Sequence, residues 1–311
     1  MKNPKGFLFL DKRTGITSHD VVNAVRKKFG IRRVGHSGTL DPFASGLLIL
    51  GIGRATRLLE YFKDLDKEYN VKIKLGVITD TFDNTGNVVE ERDSSCVTED
   101  DFVEVIKDFE GEYMQVPPAY SARRYKGERL YNLARKGKII NLPPREVQIK
   151  HIRNIIFDPH EKTASFTVSV SSGTYIRSLV MDIGYKLGCG AHAIYLRRTR
   201  IGIFCVENSK RTENISDNDV ILPAEALRFI PALYLTEESS TTVLNGSQIW
   251  LDDVAGVEGR FNKDGLIRLL SPSDELVAVA KAEVSSKFLK TLIRNNERRR
   301  IAKLRKVIGD S

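Results

Sequence analysis

At 311 residues, 41% of them hydrophobic and 29% charged, the chain is long enough for roughly two domains and apolar enough to bury a core in each. That mixture excludes a largely disordered chain, and no run of eighteen apolar residues offers a membrane-spanning helix. The net charge of +9 is concentrated: residues 123–153 carry ten Lys/Arg against Glu128 and Glu146, residues 287–306 carry nine against Glu297, so each stretch is +8 and the rest of the chain is −7.

Two basic stretches on an acidic body point to a polyanionic partner. A membrane patch would need an apolar anchoring face beside the charge, whereas residues 123–153 hold Tyr125 and Tyr131 among polar neighbours. Cys96, Cys189 and Cys205 form no zinc or CxxC spacing, and the five histidines include no HExxH pair, so neither metal nor redox centre is expected. The N-terminal apolar run stops at Asp11, too early for a secretory leader, which makes the cytoplasm the expected location.

In chain order, Phe7 to Leu10 reads as a short buried strand. Thr17 or Ser18 can cap a helix running to Phe29, with Val21, Val22, Val25 and Phe29 on one face. A loop with two glycines and a proline follows (Gly35 to Pro42), then a buried strand at Leu47 to Ile52, a short helix at Ala55 to Phe62, and an alternating half-buried strand at Glu68 to Leu75. Thr98 and Asp101 form a capping box for a helix to Phe109, striped with Phe102, Val105, Ile106 and Phe109. Pro117 and Pro118 require extended or turned backbone over 115–123, and Gly127 to Lys136 is a candidate basic helix. Phe166, Val168 and Val170 alternate as a strand, Tyr175 to Leu187 has helical period, and 193–204 reads as another strand.

Without a regular βαβ rhythm, or a GxGxxG or Walker motif, the expected fold is α+β with a mixed or antiparallel sheet. The texture changes near Phe229-Ile230-Pro231. The boundary is placed there: 1–230 as the larger domain and 231–311 as a small β-rich module, with strands at 266–270 and 276–282 and a basic C-terminal tail.

The segment GHSGTLDPFASGLLILGIGRATR (residues 35–57) presents Asp41 on a stiff loop beside a buried strand. Pro42 drives Asp41 towards extended backbone, while Gly35 and Gly38 allow tight turns or the close approach of a ligand. By itself an Asp-Pro in such a loop reads first as a plain turn. The same segment, continued by Lys67-Glu68-Tyr69, Thr79-Asp80-Thr81-Phe82-Asp83, Gln115-Val116-Pro117-Pro118, Gly173-Thr174-Tyr175-Ile176-Arg177-Ser178-Leu179 and Leu196-Arg197-Arg198, resembles the bacterial TruB-type tRNA pseudouridine-55 synthases along nearly the whole chain. The C-terminal module resembles that family's RNA-binding PUA domain, with Leu244-Asn245-Gly246 near its start.

The resemblance implies an isomerase that flips out one uridine of the tRNA T loop, breaks its C1′–N1 bond and rejoins C1′ to C5, with no cofactor. It assigns the catalytic carboxylate to Asp41, an arginine pairing with it to Arg177, a ring stacked on the base to Tyr69, uracil-pocket walls to Tyr175 and Leu196, and a T-loop contact to His36. Lys67 and Arg57 are expected to hold phosphates or the loop. Residues 123–153 resemble an insertion that closes on the T arm, and the tail is expected to grip the acceptor and CCA end of tRNA as part of a monomer. Two alternatives are a tRNA-binding chaperone without catalysis, which would have no use for a buried carboxylate facing RNA, and a guide-RNA-dependent relative, against which the basic insertion speaks.

Overall fold

The computed structural model describes residues 5–120, 124–125, 127–129, 138, 140, 142–295 and 297–308. The chain separates into two units. One gathers Leu8–Gly51 and Thr56–Ser216, and the other gathers Asp217 onward with Ile52–Ala55 and the residues up to Phe7.

Over its first part the chain forms β1 (Gly6–Lys12), α1 (Ser18–Phe29), β2 (Val34–His36), β3 (Ser45–Ile52), a 3₁₀ turn (Gly53–Leu58), α2 (Glu60–Lys63), β4 (Lys67–Leu75), β5 (Val77–Thr79), β6 (Val88–Glu91), α3 (Glu99–Lys107) and β7 (Gly111–Gln115). It continues with β8 (Arg124–Tyr125), β9 (Glu128–Arg129), β10 (Arg145–Asp158), β11 (Thr163–Val170), α4 (Ile176–Lys186), β12 (Ala191–Ile201) and β13 (Phe204–Cys205). The main sheet runs β1-β3-β12-β4-β11-β10-β7, with β2 added on β3 and β13 on β12. β12 pairs parallel with β3 and antiparallel with β4, so the sheet is mixed, as the pattern of the sequence led us to expect.

The alternation of β4 puts Tyr69, Val71, Ile73 and Leu75 on one face. There they meet Phe166 and Val168 of β11 and are covered by Phe102 and Ile106 of α3 and Leu179, Val180 and Ile183 of α4. Each such side chain contributes about 1.5–3 kcal/mol by burial. Thr17 and Thr98 cap α1 and α3, each through a complete capping box with Asp20 and Asp101. Ser18, the other candidate cap, does different work described below.

Three expectations change. The helix over Ala55 to Phe62 is a 3₁₀ turn followed by the four-residue α2, because β3 gives way at Gly53 (φ +61°) and leaves too few residues for a long helix. The last part of the basic stretch 123–153 is β10, fourteen residues long, and its register with β7 and β11 places it inside the main sheet. Of the helix expected over 127–136, residues 130–136 lie outside the described residues. Its start is instead a strand, with β8 and β9 pairing antiparallel about Gly127, whose φ of +88° suits a tight hairpin.

The second unit contains α5 (Pro223–Ala226), β14 (Ala232–Leu235), α6 (Glu237–Leu244), β15 (Ile249–Trp250), β16 (Val254–Glu258), β17 (Leu266–Leu270), β18 (Leu276–Ala282), α7 (Ser286–Asn295) and β19 (Arg300–Val307). Its sheet runs β15-β19-β18-β17-β14-β16 around a core that includes Leu233, Ile267, Leu269, Ala280 and Ile301. The basic stretch from residue 287 is therefore no tail. Its first part is α7, which buries Leu289 and Leu292, and its second is β19, an interior strand of the sheet.

Candidate active site

Asp41 is fixed from both sides by buried polar groups. The hydroxyl of Ser18, at the start of α1 and 2% exposed, accepts from the backbone N–H of Leu40 (2.8 Å) and donates to its carbonyl (3.0 Å). On the other side the Pro42 carbonyl accepts from the Gly15 N–H at 2.8 Å and from Lys12 Nζ at 3.4 Å. Lys12 is fully buried, and Nζ also donates to the carbonyls of Arg13 and Ile16. Burial lowers its pKa to about 8, partly opposed by the negative Asp41. The Arg198 guanidinium, 2% exposed, donates to Leu47 O at 2.7 Å and Gly38 O at 3.4 Å, tying the glycine loop to β3.

Arg177 enters from the first turn of α4. Its Nε donates to Asp41 Oδ2 at 2.9 Å, Nη1 to the Thr81 carbonyl at 2.6 Å and Nη2 to the Tyr120 carbonyl at 2.8 Å. The grip on the carboxylate is thus single, not the two-point clasp a guanidinium permits, because the other nitrogens hold main chain. Asp83, buried, lies 3.5 Å from Nη1 and is itself held by the hydroxyls of Thr81 and Thr85 and the N–H of Thr85. Between Thr81 and Asp83, Phe82 adopts φ +61°, a left-handed conformation costing about 1–2 kcal/mol for a bulky residue; the Ala193 N–H binds its carbonyl at 3.0 Å. The guanidinium is 4% exposed and the Asp41 side chain 35% exposed, so one end of the pair is locked in the protein and the other meets solvent. Among the described residues Asp41 Oδ1 accepts no hydrogen bond, which leaves it available to a ligand.

These groups floor a cleft of about 590 Å³, which His36, Asp41, Lys67, Tyr69, Tyr175, Arg177 and Leu196 all line. Lys63, Arg198 and the loop from Ser171 to Tyr175 complete the wall. Tyr69 and Leu196 are buried on adjacent strands β4 and β12, while Tyr175 is the residue that caps α4. Lys67 Nζ donates to the carbonyls of Lys63 and Leu65, and burial with the nearby Arg198 charge lowers its pKa to about 8. Burial, then Arg198, also lowers the pKa of His36, which favours the neutral ring. An aromatic, cation-rimmed slot with one accessible carboxylate suits a flat polar ring attached to a phosphate chain.

Seven of the eight residues singled out from sequence thus converge. Arg57 does not: it lies exposed in the 3₁₀ turn and is not part of the cleft wall. Sequence reasoning gave no part in the site to Lys12, Ser18, Asp83 and Arg198, polar residues whose burial shows only once the fold is known.

Comparison with known proteins shows the family to which this fold belongs. The family described as TruB family pseudouridylate synthase (N terminal domain) matches residues 26–176, the tRNA pseudouridylate synthase B C-terminal domain matches 177–227, and the PUA domain matches 231–306. The tRNA pseudouridine synthase B of Thermotoga maritima is 50% identical over 98% of both chains, and that of Aquifex aeolicus 39% identical over 86% of this chain and 92% of its own. Among solved structures, a chain of an H/ACA ribonucleoprotein bound to a substrate RNA containing 2′-deoxyuridine superposes with a TM-score of 0.74 at 26% identity, covering 98% of this chain and 85% of that one. The fold, the cleft and these matches lead to one conclusion: the chain belongs to the TruB family of pseudouridine synthases.

Proposed function

We propose that the protein isomerises uridine 55 in the T loop of tRNA to pseudouridine, with Asp41 as the catalytic carboxylate. The observation that carries this reading is the half-exposed Asp41 carboxylate held at 2.9 Å by a buried Arg177 on the floor of an aromatic cleft. The uridine swings out of the tRNA elbow, at a cost of a few kcal/mol that phosphate contacts offset. Its uracil lies against Tyr69, where stacking contributes roughly 1–3 kcal/mol, with Tyr175 and Leu196 as the remaining walls. The ionised carboxylate serves as nucleophile or base. The C1′–N1 bond breaks, the base turns, C1′ joins C5, the C5 proton leaves and N1 ends protonated. Atoms and electrons balance within the substrate, so the reaction as written calls for no redox partner.

Residues 1–230 are read as the catalytic domain and 231–311 as an RNA-binding module that reaches the acceptor and CCA end, in a cytoplasmic monomer. His36 contacts the T loop, and Lys67 positions a phosphate or the active-site loop. No helix among the described residues is long and apolar enough to cross a membrane. A guide-RNA-dependent mode draws support from the H/ACA likeness, but full-length relatives at 50% identity named for tRNA weigh more. The test is to incubate pure protein with tRNA transcript and map the product. Pseudouridine at position 55 that vanishes with Asp41→Asn supports the reading, whereas no product from the wild type, or product from the variant at wild-type rate, overturns it.

A further inference from the structure

Gln115 closes β7 with its side chain fully buried, opposite Arg145 in the register with β10. Its amide reads both backbone groups of Tyr175: Oε1 accepts from the Tyr175 N–H at 2.8 Å and Nε2 donates to the Tyr175 carbonyl at 3.0 Å. The second hydrogen of Nε2 goes to the Tyr113 hydroxyl. Every hydrogen of the amide is therefore committed, and flipping it would set NH₂ against N–H and oxygen against oxygen. Tyr175 is the N-cap of α4 and has no side-chain cap of its own. A buried amide from β7 instead holds the N–H and the carbonyl of the N-cap residue itself.

The neighbouring contacts run the same way. The Ser178 hydroxyl donates to the Val116 carbonyl at 2.9 Å, and Arg177 Nη2 donates to the Tyr120 carbonyl at 2.8 Å. Across the register, the Arg145 guanidinium lies 5.8 Å from the Tyr175 ring centroid and against Gly173, where an added Cβ would strike it at 1.8 Å. Tyr175 lines the cleft, and two residues on, Arg177 holds Asp41.

We propose that Gln115 is a positioning residue for the reaction: by clamping the main chain of Tyr175 it fixes the start of α4, and so the place of the Arg177 guanidinium against Asp41. The inference rests on the reading of Asp41 and Arg177 as the reacting pair. Gln115 touches no reacting atom and acts through the backbone, where a displacement of about 1 Å can cost on the order of 10²-fold in rate.

The experiment measures single-turnover pseudouridine formation, tRNA affinity and thermal melting for full-length Asp41→Asn, Gln115→Ala and Gln115→Glu. Gln115→Ala is expected to lower the single-turnover rate on the order of 10²-fold while tRNA Kd stays within about twofold. Gln115→Glu supplies a readout that mere folding would not move. As a carboxylate it faces the Tyr175 carbonyl without a donor, and as a protonated acid it restores both contacts. Its rate relative to wild type therefore climbs as pH falls from about 8 to about 5.5, with the protein folded at both ends of the range. An inactive Asp41→Asn beside a Gln115→Ala at wild-type rate overturns the positioning role alone, whereas an active Asp41→Asn overturns the reading beneath it. Should Gln115→Ala melt below the assay temperature, Gln115→Glu decides: a ratio to wild type that stays flat across pH overturns the proposal.

Discussion

In the cleft, Arg177 and Arg198 are buried and their nitrogens are committed to a carboxylate and to carbonyls of distant segments. In the C-terminal unit, Arg298 and Arg299 are exposed, each lying over a ring that is itself open to solvent, Trp250 at 5.5 Å and Phe288 at 5.4 Å. The first pair uses the rigid fork of the guanidinium to fix geometry; the second displays charge and flat surface together, as contacts to a nucleic-acid backbone and bases require. One residue type thus serves two ends, and burial decides which. Substitutions that respect charge but not shape should be harmful in one region and tolerated in the other.

The largest effect is expected at the group the buried arginine holds. Asp41→Asn should reduce the single-turnover rate by on the order of 10³-fold or more, with tRNA Kd near wild type in a filter-binding titration. Tyr69→Phe keeps the ring and removes the hydroxyl. If that hydroxyl carries the C5 proton, kcat drops about 10²-fold at constant Kd, and equal activity removes it from the mechanism. Arg177→Lys against Arg299→Lys is the direct contrast. The first strands two partly buried carbonyls, each costing about 1 kcal/mol in denaturant unfolding. The second should stay within about 0.5 kcal/mol.

Charge reversal at the displayed pair, Arg298→Glu with Arg299→Glu, should leave the rate on bound tRNA unchanged. The plot of log Kd against log salt should flatten by about 1–2 units, and an unchanged slope would remove this surface from the RNA contact. Removing the whole stretch from residue 287 would not test the point, since β19 is an interior strand of its sheet. A modest effect concerns Asp182 on α4, whose pKa burial raises to about 6. A carboxyl raised in the fold favours its protonated form, so the stability it leaves intact below about pH 4 is lost as pH rises through 6. Asp182→Asn should therefore be more stable than wild type by roughly 1 kcal/mol at pH 7, allowing for solvent screening, with the difference gone near pH 4.

The strands and helices whose apolar spacing matches a single period were legible before the fold was known: β4 by alternation, α3 by its capping box and stripe. β10 was hidden because register shifts after Ile149 and Arg153 break its period of two and its first half falls in the basic stretch read as an insertion over 123–153. α6 (EESSTTVL) has no apolar stripe to announce it, whereas α7 has one (Phe288, Leu289, Leu292, Ile293) that the cations around it drew into the reading of a basic tail. Pairing Asp41 with Arg177, 136 residues away, came from family resemblance, since no local pattern encodes it. Lys12, Ser18, Asp83 and Arg198 were missed for one reason: a polar side chain is assumed to face water until the backbone groups that satisfy it are known.

The three-way grip of Arg177 has a consequence for where motion can occur. A guanidinium that swung away from Asp41 would also have to give up the carbonyls of Thr81 and Tyr120, which it holds at 2.6 and 2.8 Å. The carboxylate is therefore an anvil. During the turnover proposed here, the pivoting belongs to the detached uracil, and the protein's part is to stay still while the ring comes round.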